Sequence, residues 1–182
     1  MKKWCSILLV SLLVSGSVLA EEAKKPARKM AILANPISMV FLRPSASFQL
    51  AVSNKIALVF PFHVQLFTGS SSVDGTSSSN SAFGIGGGVG AKFFITGDVF
   101  EDSLYIQPVA EIGWLGIGGA NFLTLSGSAI LGYGWVWNSG FSLNIGLGMQ
   151  YIYVNHTVKS SNSTVTFNGL LPDAEFSLGY SW

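Results

Sequence analysis

Cysteine, charge and long apolar runs are all scarce in this chain of 182 residues. The single cysteine, Cys5, stands inside a segment that reads as an export signal, so the exported chain has no disulfide scaffold. Charged residues make up 10% of the chain against 49% hydrophobic ones, where a soluble domain usually carries ~25% charge. So little charge hardly supplies the solvated face that a soluble globule needs. Beyond the N-terminal segment no stretch reads as a membrane-spanning helix. The best, residues 104–125, contains Gln107, Pro108, Glu111 and four glycines, and its apolar residues alternate instead of running on. A chain rich in apolar residues but without spanning helices has one other way to cross a bilayer, a closed β-barrel, because only closure satisfies every backbone group in hydrocarbon.

The N-terminal segment has the parts of a secretory signal: Lys2 and Lys3, an apolar stretch over residues 7–19, and the small-residue pattern Val18-Leu19-Ala20 before Glu21. It is short of the ~18–20 apolar residues that a spanning helix requires. Removal of residues 1–20 leaves 182 − 20 = 162 residues, enough for one domain, with a net charge of 8 − 9 = −1 once Lys2 and Lys3 are gone. Residues 21–30, opening "EEAKKPARK", mix both signs of charge and read as a solvated periplasmic leader; residues 31–182 read as the barrel domain. With no basic patch elsewhere, nucleic acid is not an expected partner.

What the remaining sequence offers is alternation. Over residues 55–67, Ile56, Leu58, Phe60, Phe62, Val64 and Leu66 alternate with positions that include Ala57, His63 and Gln65. Over residues 82–96, Phe83, Ile85, Val89, Phe93 and Ile95 alternate with four glycines and Lys92. Residues 103–115, 121–137 and 141–154 repeat the pattern, with Tyr105, Gln107 and Glu111 on the small or polar face of the first. One face is bulky and apolar, the other small and polar. A soluble barrel such as a lipocalin would turn the bulky face inward and cover its outside with charge, which this chain lacks. The bulky face is therefore expected to meet lipid, and the glycine, serine and amide face to fill a narrow lumen.

Short connections at 53–55, 97–102 and 138–140 alternate with longer ones at 68–81 and 155–168 and a modest one at 116–120, as turns and external loops do in membrane barrels. Trp137 opposite Phe141 makes 138–140 a three-residue hairpin with Gly140 in the left-handed position, and Val52 opposite Ile56 treats 53–55 in the same way. Seven strands follow: 45–52, 55–67, 82–96, 103–115, 121–137, 141–154 and 169–182. An even number requires one more, and residues 31–42, "AILANPISMVFL", are assigned to it with a turn at Arg43-Pro44, although Pro36 interrupts the stretch. The expected fold is all-β: a closed antiparallel transmembrane up-and-down barrel of eight strands.

The chain ends "FSLGYSW", with Phe176, Leu178, Tyr180 and Trp182 on the lipid face and Glu175, Ser177, Gly179 and Ser181 on the lumen face. A terminal alternating strand with a final aromatic resembles the C-terminal assembly signal of bacterial outer-membrane proteins, in which phenylalanine is the usual last residue. With the signal peptide and the strand count, the chain resembles the small eight-stranded outer-membrane barrels of the OmpA/OmpX type. That resemblance implies residence in the outer membrane as a monomer, contact with outer-membrane lipid, and recognition of Phe176, Leu178, Tyr180 and Trp182 by the barrel-assembly machinery. It implies nothing about activity.

Chemistry is sparse. His63 alternates into the lumen and His156 falls in a serine-rich stretch; "HTVKSSN" at 156–162 does not reproduce the His-x-Ser-Asn motif of the barrel deacylases, and no acid adjoins His156 to orient it. The run Gly84-Ile85-Gly86-Gly87-Gly88-Val89-Gly90 has Val89 where a dinucleotide fingerprint counted from Gly84 needs glycine, and no helix pattern follows. The sequons at Asn155 and Asn162 carry little weight in a bacterial export setting. No catalysis, cofactor or metal is expected. Lys92, Gln107, Glu111, Asp173 and Glu175 are the candidate lumen polar cluster, with Lys92 expected opposite Gln107, Glu111 opposite Gly88 and Glu175 opposite Gly148. The function expected is structural or surface-exposed, with a narrow passive pore bearing those acids as the alternative. Export from a Gram-negative host should leave Glu21 as the first residue, which intact-mass measurement reads directly.

Overall fold

The computed structural model describes residues 28–40, 42–73, 76–117, 120–158 and 163–182; the expected signal at 1–20 lies outside them. The alternation translates into eight strands: β1 (Met30–Asn35), β2 (Ser45–Ala51), β3 (Ile56–Val73), β4 (Thr76–Phe94), β5 (Ser103–Ile117), β6 (Ala120–Val136), β7 (Phe141–Val158) and β8 (Ser163–Ser181). Each pairs antiparallel with its neighbours in chain order, and β8 returns to β1, so the sheet is a closed up-and-down barrel. Closure runs through Ala31, Ile32, Leu33 and Ala34, opposite Ser181, Tyr180, Gly179 and Leu178. Beyond this ladder, Met30 and Trp182 exchange backbone bonds of 3.0 and 2.9 Å.

Side chains follow the period of two, with an inverted distribution of polarity. Leu147 is 72% exposed, and Phe62, Ile85, Ile112, Leu131 and Tyr180 are exposed around the outside, whereas Lys92 and Gln49 are each 1% exposed in the interior. Closure aligns the bulky faces outward because each strand's register matches its neighbour's. The lower end holds the short turns together with Arg28 and Trp182. There Trp137 donates its N–H to the Phe141 carbonyl at 2.9 Å, their rings lie 5.2 Å apart, and Gly140 takes φ +98°. Val52 likewise donates to Ile56 at 2.9 Å. Both hairpins have the expected register.

Three expectations are corrected. The first strand does not run over 31–42. It stops at Asn35, where Pro36 opens a short helix, α1 (Pro36–Val40). Asn35 caps that helix, its Oδ1 accepting the Ser38 N–H at 3.1 Å, and proline suits the first helical position because that N–H would have no helical partner. The stretches 68–81 and 155–168 are largely strand, paired up to Val73 opposite Thr76 and Val158 opposite Ser163. No proline interrupts the serines of the first stretch, so their backbone groups are free to continue the ladder. Finally, the leader is not solvated throughout. Arg28 is buried, donating at 2.9 Å to the carbonyls of both Trp137 and Asn138.

A Cβ on Gly140 would meet the Ser181 carbonyl and the Tyr180 ring besides straining a positive φ. Gly140→Val is therefore expected to lower stability by about 1–3 kcal/mol, read from the urea midpoint of tryptophan fluorescence. An unchanged midpoint would mean that this turn does not help hold β6, β7 and β8 together.

Candidate functional site

The inward faces divide the lumen into a sealed floor and an open upper chamber. At the lower end, residues 95–102 fold back under the barrel. Val99 donates its N–H to Asn54 at 2.8 Å, and Val99 and Phe100 pack with Ala31, Ala57 and Phe94. Phe94 and Phe100 meet edge to face at 6.2 Å between centroids. Above them Lys92 lies with Nζ 3.6 Å from the Tyr105 ring centroid, a favourable cation–π placement. The Tyr105 hydroxyl donates to Glu175 Oε2 at 2.8 Å. Cation, ring and carboxylate form one buried stack across three strands. Such a stack is tolerable in a low dielectric because each charge has a partner.

Two glycines make room for large inward rings. Gly132 leaves the space that the Tyr105 phenol occupies, and Gly86 leaves the space for His63; a Cβ at either would collide with the ring. The opposing-glycine pattern expected of the carboxylates holds for Glu111, which faces Gly88. For Glu175 the partner is Gly146, not Gly148, which instead faces Asp173. The two-residue shift arises because the β7–β8 ladder ends at Val158 opposite Ser163, a pair centred one residue before the midpoint of the expected 155–168 loop.

A second group sits higher. Arg43 reaches Glu111 Oε2 at 3.3 Å, and His63 Nδ1 lies 3.6 Å from Glu111 Oε1. Arg43 stands in the segment first assigned to a turn. It enters the lumen because α1 ends with Arg43 donating its N–H to Ser38 at 2.9 Å and with Leu42 at φ 54°, which redirects the chain. The five candidate residues are thus not one cluster. Lys92 and Glu175 join through Tyr105, Glu111 joins Arg43 and His63, and Gln107 and Asp173 line the chamber between. Arg43 and Tyr105 were absent from the candidate set. Tyr105 was legible as an inward position among small ones; Arg43 was not, because a helix places it.

The chamber is a cavity of about 560 Å³. Its wall includes Gln107, Glu111, Asp173 and Glu175 together with Leu33, Val59, Val109 and Ile130. Among the described residues no group of three or more His, Cys, Asp or Glu side chains is placed to hold a metal ion. Comparisons with protein-family models, with curated proteins and with solved structures find no match to this chain. The chemistry of the chamber must be argued from the chamber itself.

Tyr105→Phe removes the only described side-chain hydrogen bond to Glu175 and is expected to cost about 2 kcal/mol, the usual scale for a hydrogen bond to a charged group. Urea unfolding measures it; an effect below about 0.5 kcal/mol would mean that the floor does not rely on this bond.

Proposed function

We propose that the chain is an integral barrel of the bacterial outer membrane, similar to the small OmpA/OmpX-type barrels, with a structural or surface-exposed role and no catalysis. The inverted distribution of side chains carries this reading: bulky apolar residues cover the outside while Lys92, Gln49 and Glu175 are buried within. In water that outer surface would be an aggregation site; against lipid it is the favourable face. Its height also fits. Phe83 to Ile95 spans twelve residue steps of β4 and the turn after it, about 40 Å at ~3.3 Å per step, or ~30 Å along the barrel axis at a tilt of ~40°, close to the ~25 Å apolar band of membrane barrels.

In this reading the lower end faces the periplasm, and the paired upper parts of β3–β4 and β7–β8 stand beyond the lipid. The exposed aromatics Trp137, Phe141 and Trp182 lie at the lower interface, where such rings anchor barrels. Phe176, Leu178, Tyr180 and Trp182 serve the assembly machinery before Leu178, Tyr180 and Trp182 close the sheet against β1. The passive-pore alternative is less well supported, because Lys92, Tyr105, Phe94 and Phe100 fill the lower lumen.

Two readings on one preparation test the proposal. Protein refolded into phosphatidylcholine vesicles should float with them and migrate faster on an SDS gel unheated than boiled. In a planar bilayer it should give no steady channel. A soluble protein without the gel shift overturns the membrane reading, and a steady conductance abolished by Glu111→Gln would establish the pore instead.

A further inference from the structure

We propose that Arg43, His63 and Glu111 form a proton-operated switch: a proton taken up by the His63 imidazole turns Glu111 from Arg43 to the ring and releases the guanidinium into the chamber. The switch requires the closed barrel but not the lipid around it, so it goes beyond the membrane reading above and does not depend on it.

The three groups meet at one point. Arg43 Nη2 lies 3.2 Å from His63 Nδ1, 3.4 Å from His63 Nε2 and 3.3 Å from Glu111 Oε2. His63 Nδ1 lies 3.6 Å from Glu111 Oε1, so ring and guanidinium address different oxygens of one carboxylate. A neutral imidazole, in either tautomer, has one nitrogen that accepts, and the guanidinium stands within reach of both. A protonated imidazole has two donors and no acceptor. It repels Arg43 at a separation where like charges interact as strongly as opposite ones attract, while its Nδ1–H gains a charge-assisted bond to Glu111. The same atoms therefore favour one partner for Glu111 when the ring is neutral and the other when it is charged.

Packing decides which cation gives way. His63 is 4% exposed and fills the niche that Gly86 leaves. The Arg43 side chain is 33% exposed. Its bonds to His63 and Glu111 all run through Nη2, at lengths near the outer edge of hydrogen bonding, and its Nε has no partner among the described residues. The backbone on either side of Arg43 is fixed, Leu66 donating to the Leu42 carbonyl at 2.8 Å and Val64 to that of Pro44 at 3.0 Å. The Arg43 side chain moves, and the fold does not. Glu111 Oε2 keeps the Ser126 hydroxyl, at 3.5 Å.

The surrounding charges leave the ring a single carboxylate. The segment after α1 supplies Arg43 and β5 supplies Glu111; β8 lines the same chamber with Asp173 and Glu175, the latter bonded to Tyr105. β2 and β4 oppose His63 with Ser45 and Gly86, and Lys92 of β4 lies lower, against the Tyr105 ring. β6 and β7 contribute Ser128 and Gln150 to the chamber. Among the described residues Glu111 is the only carboxylate that pairs with His63. Asp173 accepts the Ala174 N–H and already feels the charge of Arg43. The released guanidinium is thus left near a carboxylate and not against an apolar wall.

The test follows mature protein refolded into dodecylphosphocholine micelles, its fold checked by the gel shift. If flotation shows a soluble protein, the same titration is run in buffer, so failure of the membrane reading leaves this test intact. Proton–nitrogen NMR reads the imidazole and the Arg43 Nε–H from about pH 8 to about pH 5, the span over which histidine ordinarily titrates. The Arg43 signal is expected to move with the same midpoint as the His63 ring. His63→Gln, which also identifies the ring signal, should leave the Arg43 signal still. Glu111→Gln should move the Arg43 signal near pH 8 toward its acid position. An independent reading comes from urea midpoints of Arg43→Gln, Glu111→Gln and the double variant. Coupling of about fivefold in the folding equilibrium is expected near pH 8 and its loss near pH 5, with no loss when His63 is also replaced by Gln. A His63 ring that does not titrate over this span, an Arg43 signal that stays still while it does or moves equally in His63→Gln, or a coupling indifferent to pH would overturn the proposal.

Discussion

Closure between β1 and β8 is the constraint on which the remaining structure depends. A sheet with two free edges would leave rows of backbone N–H and C=O groups unpaired beside bare apolar side chains. The pairs between Ala31–Ala34 and Ser181–Leu178 remove those edges through the lower part of the barrel, and in doing so assign an inside to every strand. Once an inside exists, the period of two in each strand distributes side chains without further choice. The aromatic end of the chain, which would be a hazard on an open edge, becomes the seam.

The narrowness of an eight-stranded lumen has its own consequence. Ordinary side chains cannot all fit, so large inward groups are matched by absent ones: Tyr105 lies where Gly132 has no Cβ, His63 where Gly86 has none. Charges then have little water to share and must satisfy one another. Lys92 against the Tyr105 ring, with Tyr105 bonded to Glu175, does so at the floor, and Arg43 with Glu111 does so above. Asp173 and Gln107 stand outside both arrangements.

Several features read from sequence depended on local rules and carried over to the structure. The hairpins at 53–55 and 138–140 follow from register and one glycine, and the inward positions of Lys92, Gln107, Glu111 and Glu175 follow from parity alone. Others depended on competition between local rules. Asn35-Pro36 can interrupt a strand or begin a helix, and the capping geometry at Ser38 decided for the helix. The serines of 68–81 are as compatible with a long hairpin as with a loop, because their backbone pairs wherever a partner strand continues.

The sequence by itself therefore determined the architecture: alternation, turn residues and scarcity of charge admit few folds other than a closed barrel with its bulky faces outward. Only the tertiary structure decided which polar residues meet. Parity places a side chain inside but says nothing about its height or its neighbour across the lumen, since a two-residue shift between strands preserves every inward face while changing every partner. That is why Glu175 faces Gly146 and not Gly148. It is also why Arg43, delivered by a five-residue helix, became visible as a lumen residue only once the barrel had closed.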